Sequence, residues 1–568
     1  MKNVLKKGSI LLLALVMALS LIACGGKGEG EGSGVNEQVD TERTQLYVFN
    51  FAGGFGADWL IAAKERYEEL HKDDVYEEGK KGIQIVINNS KTAADAMIGQ
   101  IEYNKEEVYF TELAYYYTLM EAGVLGDITD AVNQDLSTYG DDAGSTILSK
   151  MTDEQKAFYG LEENGETHFY AIPHYAGYTG LVYNVDLFEE EKYYFADGVK
   201  DASQLEDYFI IRSEDKKSAG PDGKYDTSDD GLPATFEEFF MLCDYIAERG
   251  HTPVSWRGAE YDDYLRKLML SIEANIDGKE QMSISYSMDG TATNLGSASD
   301  KGFTKTGKKK ITAKNGYEVY AQSGKYYALD FMNKLVTTDE YHNELAFNSS
   351  YSHMNAQEDF LYAGHDNGET APVAMMVEGV WWENEAQSTF DSMKDSMGDD
   401  YAKENRKFAM MPLPRVSASD AGKNTLFDCL YSLCFMKGNI EEWKKPIALD
   451  FIAFVNSQES LVEFTQITNT PKALSYEMSA DELGVMTHFG RSVMELKQNS
   501  DIVYPFSNTA IYMNQSGSFN ADKVWQSIVD GTVYNGPATA FHESGVSAVD
   551  YIKGLLEYNK ENWSMKNY

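Results

Sequence analysis

The sequence predicts an α/β protein of two lobes, each a mixed β-sheet flanked by helices. Three observations predict this architecture. The chain has 568 residues, which is enough for two sizeable cores. Residues 44–123 alternate strand-like and helix-like segments, the pattern of a parallel sheet with covering helices. Strand-like segments recur after residue 170, and their alternation indicates a chain that crosses several times between two sheets.

The first sheet is predicted from three strand-like segments that alternate with helical ones. The strands are "TQLYVFNFAGG" (44–54), "GIQIVINN" (82–89) and "EEVYF" (106–110). The helices start at Asp58, near residue 92 and at Glu112. Asp58 is predicted to cap the first helix, because its carboxylate can accept free backbone N–H groups of the first turn.

The later elements are predicted in the same way. A capped helix covers residues 231–250, helices dominate up to about residue 365, and the polar stretch 288–316 is predicted as a surface insertion. Residues 425–435, "TLFDCLYSLCF", are predicted as one long strand, and residues 443–464 as one amphipathic helix. Further strands are "TPVSW" (252–256), "APVAMMVEG" (371–379) and "RKFAMMPLPR" (406–415).

The N-terminal residues 1–23 are predicted to be a secretion signal. A lysine-rich head precedes an apolar run of residues 10–23, which is shorter than the roughly 20 residues that a membrane-spanning helix needs. Residues 21–24, "LIAC", resemble the lipobox of bacterial lipoproteins, which implies cleavage before Cys24 and a diacylglycerol on its thiol. An ordinary secretion signal is the alternative. Residues 24–44 are predicted to form a flexible linker that reaches about 25 Å.

The chain is strongly acidic, with 90 Asp and Glu against 49 Lys and Arg and a net charge of −41. Such a body repels phosphate backbones, which argues against nucleic acid as a partner, and it is not attracted to anionic lipid. Contact with the membrane is therefore expected only through the lipid anchor. Cys243, Cys429 and Cys434 are predicted to be buried free thiols, because the last two would point to opposite faces of one strand.

Residues 170–188, "YAIPHYAGYTGLVYNVDLF", are too polar for a core strand and too rich in glycine for a helix. Tyr175 and Tyr178 flank Gly177, an arrangement that would let a flat ligand approach the backbone. Aromatic faces suit the C–H faces of pyranose rings, and carboxylates and amides suit their hydroxyl groups. The alternative is that these tyrosines are ordinary core or surface residues.

The order of motifs between residue 46 and about residue 475 resembles extracellular solute-binding protein family 1, the carbohydrate-binding group of the type II periplasmic-binding-protein clamp. The chain departs from this family in its length and in residues 190–230 and 280–320. The matching motifs are "FAGGFGADWL", "EAGVLGDITD", "YAIPHYAGYTGLVYNVDLF", "LPATFEEF", "VEGVWWENEA", "FAMMPLPR" and "ALDFIAFVNSQESLVEF…TNTPKAL".

The resemblance implies a binding protein and not an enzyme. Such a protein captures a carbohydrate, here expected to be an oligosaccharide, between two lobes and delivers it to the permease subunits of an ABC importer. It implies a monomer at the extracytoplasmic face of the cell membrane, with no cofactor. The first lobe is expected to comprise residues 45–172 and 425–505, and the second lobe residues 173–424 and 506–568.

The resemblance also selects candidate ligand-binding residues. Trp381 matches the stacking residue that follows a Gly turn, and Trp256 ends a strand on the same lobe. Phe55 and Glu112 follow strands where parallel sheets bind ligands. For each aromatic residue, core packing is the alternative. The full predicted set is Phe55, Glu112, Tyr175, Tyr178, Trp256, Glu378, Trp381, Asp428 and Asn508.

Residues 226–237, "DTSDDGLPATFE", fit a twelve-residue calcium loop. Asp226, Ser228 and Asp230 stand at positions one, three and five, Gly231 at six and Glu237 at twelve. Ser228 replaces the usual acid and a proline stands at position eight. Residues 226–237 are therefore interpreted either as a structural Ca²⁺ site or as an acidic turn.

Two other functions stay open from the sequence. A secreted glycoside hydrolase would need two carboxyl groups roughly 5 to 10 Å apart across one bond. The chain has 90 Asp and Glu residues, so the sequence does not exclude such a pair. The same clamp could also bind a peptide, a polyamine or another non-sugar ligand. The stretch "GFTKTGKKK" from Gly302 is no P-loop, because Lys309 stands where a hydroxyl must hold Mg²⁺. The histidines show no zinc-binding spacing.

Overall fold

The computed structural model describes residues 38–199, 201–212, 215–365 and 370–565. The predicted signal peptide, Cys24 and most of the linker lie outside the described residues. Within the described ranges, every helix is too short or too polar to span a bilayer.

The strands lie mostly in two sheets and a few hairpins. In chain order they are β1 (Thr44–Phe51), β2 (Ile83–Ser90), β3 (Val108–Thr111), β4 (Gly160–Glu163), β5 (Glu166–Phe169), β6 (Ile172–Pro173), β7 (Thr179–Asn184), β8 (Thr252–Ser255), β9 (Gly290–Ser299), β10 (Gly302–Ile311), β11 (Val373–Gly379), β12 (Phe408–Met411), β13 (Asn424–Phe427), β14 (Leu433–Met436), β15 (Ser500–Val503), β16 (Ser527–Val529) and β17 (Thr532–Tyr534).

The helices flank these sheets. In chain order they are α1 (Asp58–Leu70), α2 (Ala94–Ile101), α3 (Tyr116–Glu121), α4 (Thr129–Asn133), α5 (Ile147–Lys150), α6 (Asp153–Tyr159), α7 (Val185–Glu191), α8 (Phe236–Glu248), α9 (Tyr261–Ser287), α10 (Ser323–Thr337), α11 (His353–Tyr362), α12 (Trp382–Glu385), α13 (Gln387–Met397), α14 (Lys445–Phe454), α15 (Gln458–Thr468), α16 (Ala480–Gly484), α17 (His488–Gln498), α18 (Ala510–Gln515), α19 (Pro537–Ser544) and α20 (Ala548–Asn562).

The first sheet has five strands in the order β2-β1-β3-β14-β6. β1 pairs in parallel with β2 and β3, as the sequence predicts, because helices α1 and α2 return the chain to the same edge. β14 runs antiparallel to β3 and to β6. The sheet is therefore mixed, and with its helices it forms the first lobe.

The second sheet has four strands in the order β12-β7-β11-β8. β7 runs antiparallel to both β11 and β12, whereas β8 and β11 are parallel. Every residue of β7, β11 and β12 is buried, as is typical of strands covered on both faces. This sheet and its helices form the second lobe, so the predicted class of two mixed sheets flanked by helices is confirmed.

Three segments, called crossings below, connect the sheets: residues 174–178 join β6 of the first sheet to β7 of the second, residues 428–432 join the β13–β15 pair to β14 of the first sheet, and residues 504–509 leave that pair after β15. The second crossing bonds through its backbone to the first crossing and to the end of β15. The amide of Cys429 donates to the carbonyl of Gly177 at 2.8 Å, and that of Asp428 donates to Val503 at 3.0 Å. A Cβ atom added at Gly177 would lie 2.2 Å from Cγ of Leu430, so this glycine makes room for the second crossing and not for a ligand.

Three predicted elements are wrong in detail. Residues 425–435 form two strands in different sheets, because the second crossing separates β13 from β14. The helix predicted over 443–464 is broken into α14 and α15, where the Ser457 hydroxyl accepts the amide of Ser460 and starts a new helix. Ala57, and not Asp58, holds the N-cap position of α1.

The two segments that depart from the family take different forms. The lysine-rich stretch predicted as a surface insertion contains the antiparallel hairpin β9–β10, whose second strand is largely exposed. The described part of residues 190–230 is largely irregular and contains a 3₁₀ turn over Leu205–Tyr208. The three cysteines Cys243, Cys429 and Cys434 are buried and free, as predicted. The residue bounds of the two lobes stay a prediction.

Candidate ligand slot between the lobes

The first wall of a slot between the lobes consists of Phe55, Glu112 and Tyr175. These residues follow β1, β3 and β6, whose carboxyl ends meet at one edge of the first sheet. The rings of Phe55 and Tyr175 lie 4.2 Å apart between centroids. The Tyr175 hydroxyl donates a hydrogen bond to the Glu112 carboxylate. The sequence therefore selected three side chains that the structure brings into contact.

The second wall consists of Glu378, Trp381 and Glu385, which lie at and after the end of β11. The Trp381 indole lies flat against Gly379. A Cβ atom added at Gly379 would lie 2.2 to 2.4 Å from three ring atoms of that indole. Glycine is thus required at this position because the ring occupies the space of a side chain.

The two walls meet across the loop of Gly53 and Gly54. A Cβ atom added at Gly54 would lie 2.7 Å from Cβ of Trp381 and 3.0 Å from Cγ of Glu385. One added at Gly53 would lie 2.7 Å from an oxygen of Glu112. The "AGGFG" stretch of the first lobe therefore packs between both walls, and only glycine fits there.

Two carboxylates of the second wall share one amide group. Nε2 of Gln357 donates to Glu378 at 3.2 Å and to Glu385 at 3.0 Å. The other oxygen of Glu378 accepts the amide of Gly379 at 2.9 Å. Burial raises the pKa of both carboxyls, and the nearby charge of Glu385 raises the pKa of Glu378 further.

The first wall and the second crossing contribute two more buried carboxyls. Burial raises the pKa of Glu112 to about 7, although the hydrogen bond from Tyr175 opposes this shift. Burial likewise raises the pKa of Asp428 to about 7, although the Gly177 amide, at 3.3 Å, bonds to its carboxylate. The slot thus gathers four carboxyl groups that are costly to ionise.

An aromatic cavity adjoins the slot and shares Tyr175 and Asp428 with it. Within it, Phe158 and Phe506 stack at 4.1 Å. Sequence reasoning missed its lining residues, although "AYYY" after β3 and "YPF" after β15 are aromatic runs at strand ends. The cavity is also lined by Tyr115, Tyr116, Tyr159, Tyr431, Tyr504 and Tyr512.

The structure places Trp256 and Asn508 away from both walls, whereas Tyr178 adjoins the second wall through its backbone. Trp256 is fully buried in the second lobe, where its indole N–H donates to Ala346 at 2.8 Å, so it is a core residue. Asn508 is exposed and donates to the carbonyl of Ala157 at 3.1 Å. Tyr178 accepts the amide of Val380 through its backbone, but its ring lines a small cavity beside Ser271.

In the acidic loop of residues 226–237, a carboxylate accepts hydrogen bonds from the loop's own backbone. Asp230 accepts the amides of Asp226 and Thr227, and Gly231 makes the sharp bend with φ of 81°. Glu237 lies in the first turn of α8. Among the described residues, no three His, Cys, Asp or Glu side chains are arranged to hold a metal ion. The calcium site of Asp226, Ser228, Asp230 and Glu237 stays a prediction.

A melting experiment checks the calcium prediction. We expect millimolar Ca²⁺ to raise the melting temperature, and Asp230→Ala to abolish that rise, because a hard oxygen ligand is lost. Asp215→Ala is the matched control, since Asp215 also accepts two backbone amides in an exposed turn. Equal melting temperatures in Ca²⁺ and in a chelator would contradict the calcium site and identify the loop as an acidic turn.

The two sheets with their helices define a two-lobe α/β fold. The sequence matches no protein-family model, and it matches no curated protein. Three solved structures, each 13% identical to this chain, share its fold. A chitin oligosaccharide binding protein has a TM-score of 0.51 over 92% of this chain and 100% of its own. Maltose-bound MalE3 of T. maritima has a TM-score of 0.51 over 91% of this chain and 99% of its own.

The third is the cyclic alpha-maltosyl-1,6-maltose binding protein from Arthrobacter globiformis, with a TM-score of 0.52 over 92% of this chain and 100% of that one. At this identity the likeness shows the fold alone. The chain therefore has the two-lobe fold of these solute-binding proteins, and the predicted type II clamp is confirmed.

Proposed function

We propose that this protein is a lipid-anchored extracellular binding protein that captures a carbohydrate in the slot and delivers it to an ABC importer. One observation carries the proposal. Trp381 and Glu385 of the second lobe adjoin Gly54, and Glu112 of the first lobe, which bonds to Tyr175 beside Phe55, adjoins Gly53, so rings and carboxylates of both lobes meet at one loop. The structural neighbours named above bind oligosaccharides, which supports the same ligand class here.

The slot offers both kinds of contact that a sugar needs. The rings of Phe55, Tyr175 and Trp381 present apolar faces to the C–H groups of pyranoses. The carboxylates and the Gln357 amide provide hydrogen-bond partners for the hydroxyl groups at the ring edge. A ligand held in this way would touch both lobes at once.

Capture is a shift between open and closed arrangements of the lobes. A ligand that contacts both walls favours the closed arrangement by its difference in affinity for the two states. Two contacts join the lobes in this structure: Lys279 of α9 bonds to Glu154 of α6 at 2.6 Å, and Asn384 donates to the carbonyl of Thr468. We expect these contacts to form on closure, and the closed protein would then dock on the permease.

The proposal includes a lipid anchor on Cys24 and an importer permease as the partner. The "LIAC" motif supports lipidation of Cys24, and the linker to residue 44 supports a body held near the membrane while free to turn. Expected partners are a carbohydrate and the permease subunits of an importer, with the protein acting as a monomer and without a cofactor.

A thermal-shift screen over mono- and oligosaccharides tests the proposal. We expect a cognate sugar at 100 times its Kd to stabilise the protein by about 2.7 kcal/mol and to quench tryptophan fluorescence, since Trp381 lies at the slot. Failure of every sugar to shift the melting temperature would contradict the proposal. Release of reducing ends at enzyme-like rates would identify a hydrolase instead.

A further inference from the structure

A lysine-rich segment lies within an otherwise acidic chain. Residues 300–314 contain six lysines and one aspartate, in a chain whose net charge is −41. They include strand β10 of the β9–β10 hairpin, and every residue from Thr304 to Lys310 is exposed to solvent. We call the following six residues the hairpin lysines: Lys301, Lys305, Lys308, Lys309, Lys310 and Lys314.

Two of the hairpin lysines are paired with carboxylates. Lys309 bonds to Glu318 at 2.6 Å, and Lys310 bonds to Asp289 at 2.5 Å. The other four are exposed and form no ion pair with any residue that the structure describes. The hairpin therefore presents four unpaired positive charges to solvent. These are Lys301, Lys305, Lys308 and Lys314.

The positive charges are spread along an extended strand. β10 pairs with β9 in a two-stranded sheet, and its ten residues span about 30 Å. Lys301 precedes the strand and Lys314 follows it. A row of ammonium groups of this length matches an extended anionic surface better than it matches a single small anion.

A cavity adjoins the strand. It has a volume of 410 Å³ and lies between the hairpin and α20, with Gly307, Lys308 and Lys560 in its lining. Lys560 is exposed and also lacks an ion pair within the described ranges. Glu318 is the carboxylate in the described lining, and it already bonds to Lys309. The cavity is thus positively charged and has room for a phosphate headgroup.

The proposed anchor brings an extended anionic surface within reach of the hairpin. The linker to residue 44 has a root-mean-square length of about 25 Å, and fully extended it spans about 70 Å. The body can therefore turn different faces towards the membrane. A single lipid chain gives only reversible attachment, and a basic patch is the usual second signal that makes it stable.

The acidic body opposes this contact less than its net charge indicates. The Debye length is about 8 Å at physiological ionic strength, so charges on remote faces are largely screened from a surface that the hairpin touches. The expectation that the membrane is contacted through the anchor alone was drawn from the net charge of the whole chain. It takes no account of how the lysines are distributed.

We propose that the hairpin lysines dock the anchored protein on an anionic phospholipid surface, with a lipid phosphate in the cavity beside Lys308 and Lys560. This contact goes beyond carbohydrate capture. It rests on the proposed function only in that the anchor on Cys24 places the body near the membrane.

Vesicle sedimentation tests the inference on the unlipidated mature chain, residues 24–568 with Cys24→Ser. One set of vesicles is phosphatidylcholine, and the other is equal parts of phosphatidylcholine and phosphatidylglycerol. At about 0.1 M salt we expect at least tenfold tighter binding to the anionic vesicles, because each lysine near such a surface contributes a factor of about five. At about 1 M salt the preference should disappear, since the Debye length falls to about 3 Å.

Two variants with the same net charge locate the contact. In the hairpin variant, the four unpaired hairpin lysines are replaced by glutamine, and we expect the preference for anionic vesicles to fall at least fivefold. In the control variant, four exposed lysines elsewhere on the chain are replaced by glutamine, and the preference should stay at the wild-type value. The control substitutions are Lys216→Gln, Lys224→Gln, Lys394→Gln and Lys523→Gln.

Several outcomes would overturn the docking surface. Equal binding to both kinds of vesicle would do so, as would a preference that survives in the hairpin variant. Binding of free glycerol 3-phosphate without a vesicle preference would assign the cavity to a soluble anion instead. Self-association without a vesicle preference, if the hairpin variant abolishes it, would assign the hairpin to the acidic surface of a second copy.

The vesicle result is separate from the proposed function. The tested chain carries no lipid, so a native protein without lipid on Cys24 would contradict the anchor and leave the vesicle result standing. The hairpin variant should keep its thermal shift with the cognate sugar, because the hairpin lies outside both walls of the slot. Failure of the docking surface would therefore leave carbohydrate capture intact.

Discussion

Replacing Trp381 by alanine is expected to weaken carbohydrate binding by about 1–3 kcal/mol, a factor of roughly 5 to 150 in Kd. The loss has two physical sources. The ligand would lose a stacking face, and the slot would lose the ring that covers Gly379 and contacts the Gly54 loop. Isothermal titration calorimetry with the sugar found in the screen measures the change.

Two controls accompany the Trp381 variant. Trp443→Ala removes a tryptophan that is 42% exposed, and its affinity should stay at the wild-type value. Circular dichroism below the melting transition shows whether the Trp381 variant keeps its fold. An unchanged affinity in the folded variant would remove Trp381 from the binding site.

Removing one member of the Lys325–Glu273 ion pair is expected to cost about 3–5 kcal/mol of stability. Nζ of Lys325 lies 2.8 and 2.9 Å from the two oxygens of Glu273, and both side chains are almost fully buried. Burial raises the pKa of Glu273 and the charge of Lys325 opposes this. In Lys325→Met the carboxylate would be left buried without a cation.

The pair matters to the clamp because it joins α10 to α9. On either side of Glu273 in α9, Ser271 donates to the carbonyl of Thr179 and Asn275 donates to that of Leu413, so this helix supports the start of β7 and the segment after β12. Urea denaturation monitored by far-UV circular dichroism measures the loss of stability.

A double variant separates charge from packing. Lys325→Met with Glu273→Leu replaces the pair by apolar side chains and should recover most of the stability, since neither charge is then left alone. A single variant that stays within about 1 kcal/mol of the wild type would show that water or another group compensates the charge.

The first sheet could be predicted from the sequence because its signals are local. Alternating apolar residues and the helices between them fix β1, β2 and β3, and parallel strands must end at the same edge. Phe55 and Glu112 therefore lie at that edge, as the sequence predicts. The Gly379–Trp381 turn could be identified by resemblance alone.

The rest depends on contacts between distant residues. Trp256 and Trp381 both follow strands of the second lobe, but only the packing of His342 and Phe347 around Trp256 makes it a core residue. The break between β13 and β14 is not marked by glycine or proline, since residues 428–432 read "DCLYS". Glu385 was missed because a helical turn separates it from Trp381.

The backbone bonds of the second crossing restrict how the two lobes can move. Cys429 is tied to Gly177 and Asp428 to Val503, so the crossings cannot slide past one another without losing these bonds. We expect rotation of the lobes about the line of the crossings to keep these bonds. One pair of spectroscopic labels, one on each lobe, would then follow the opening angle.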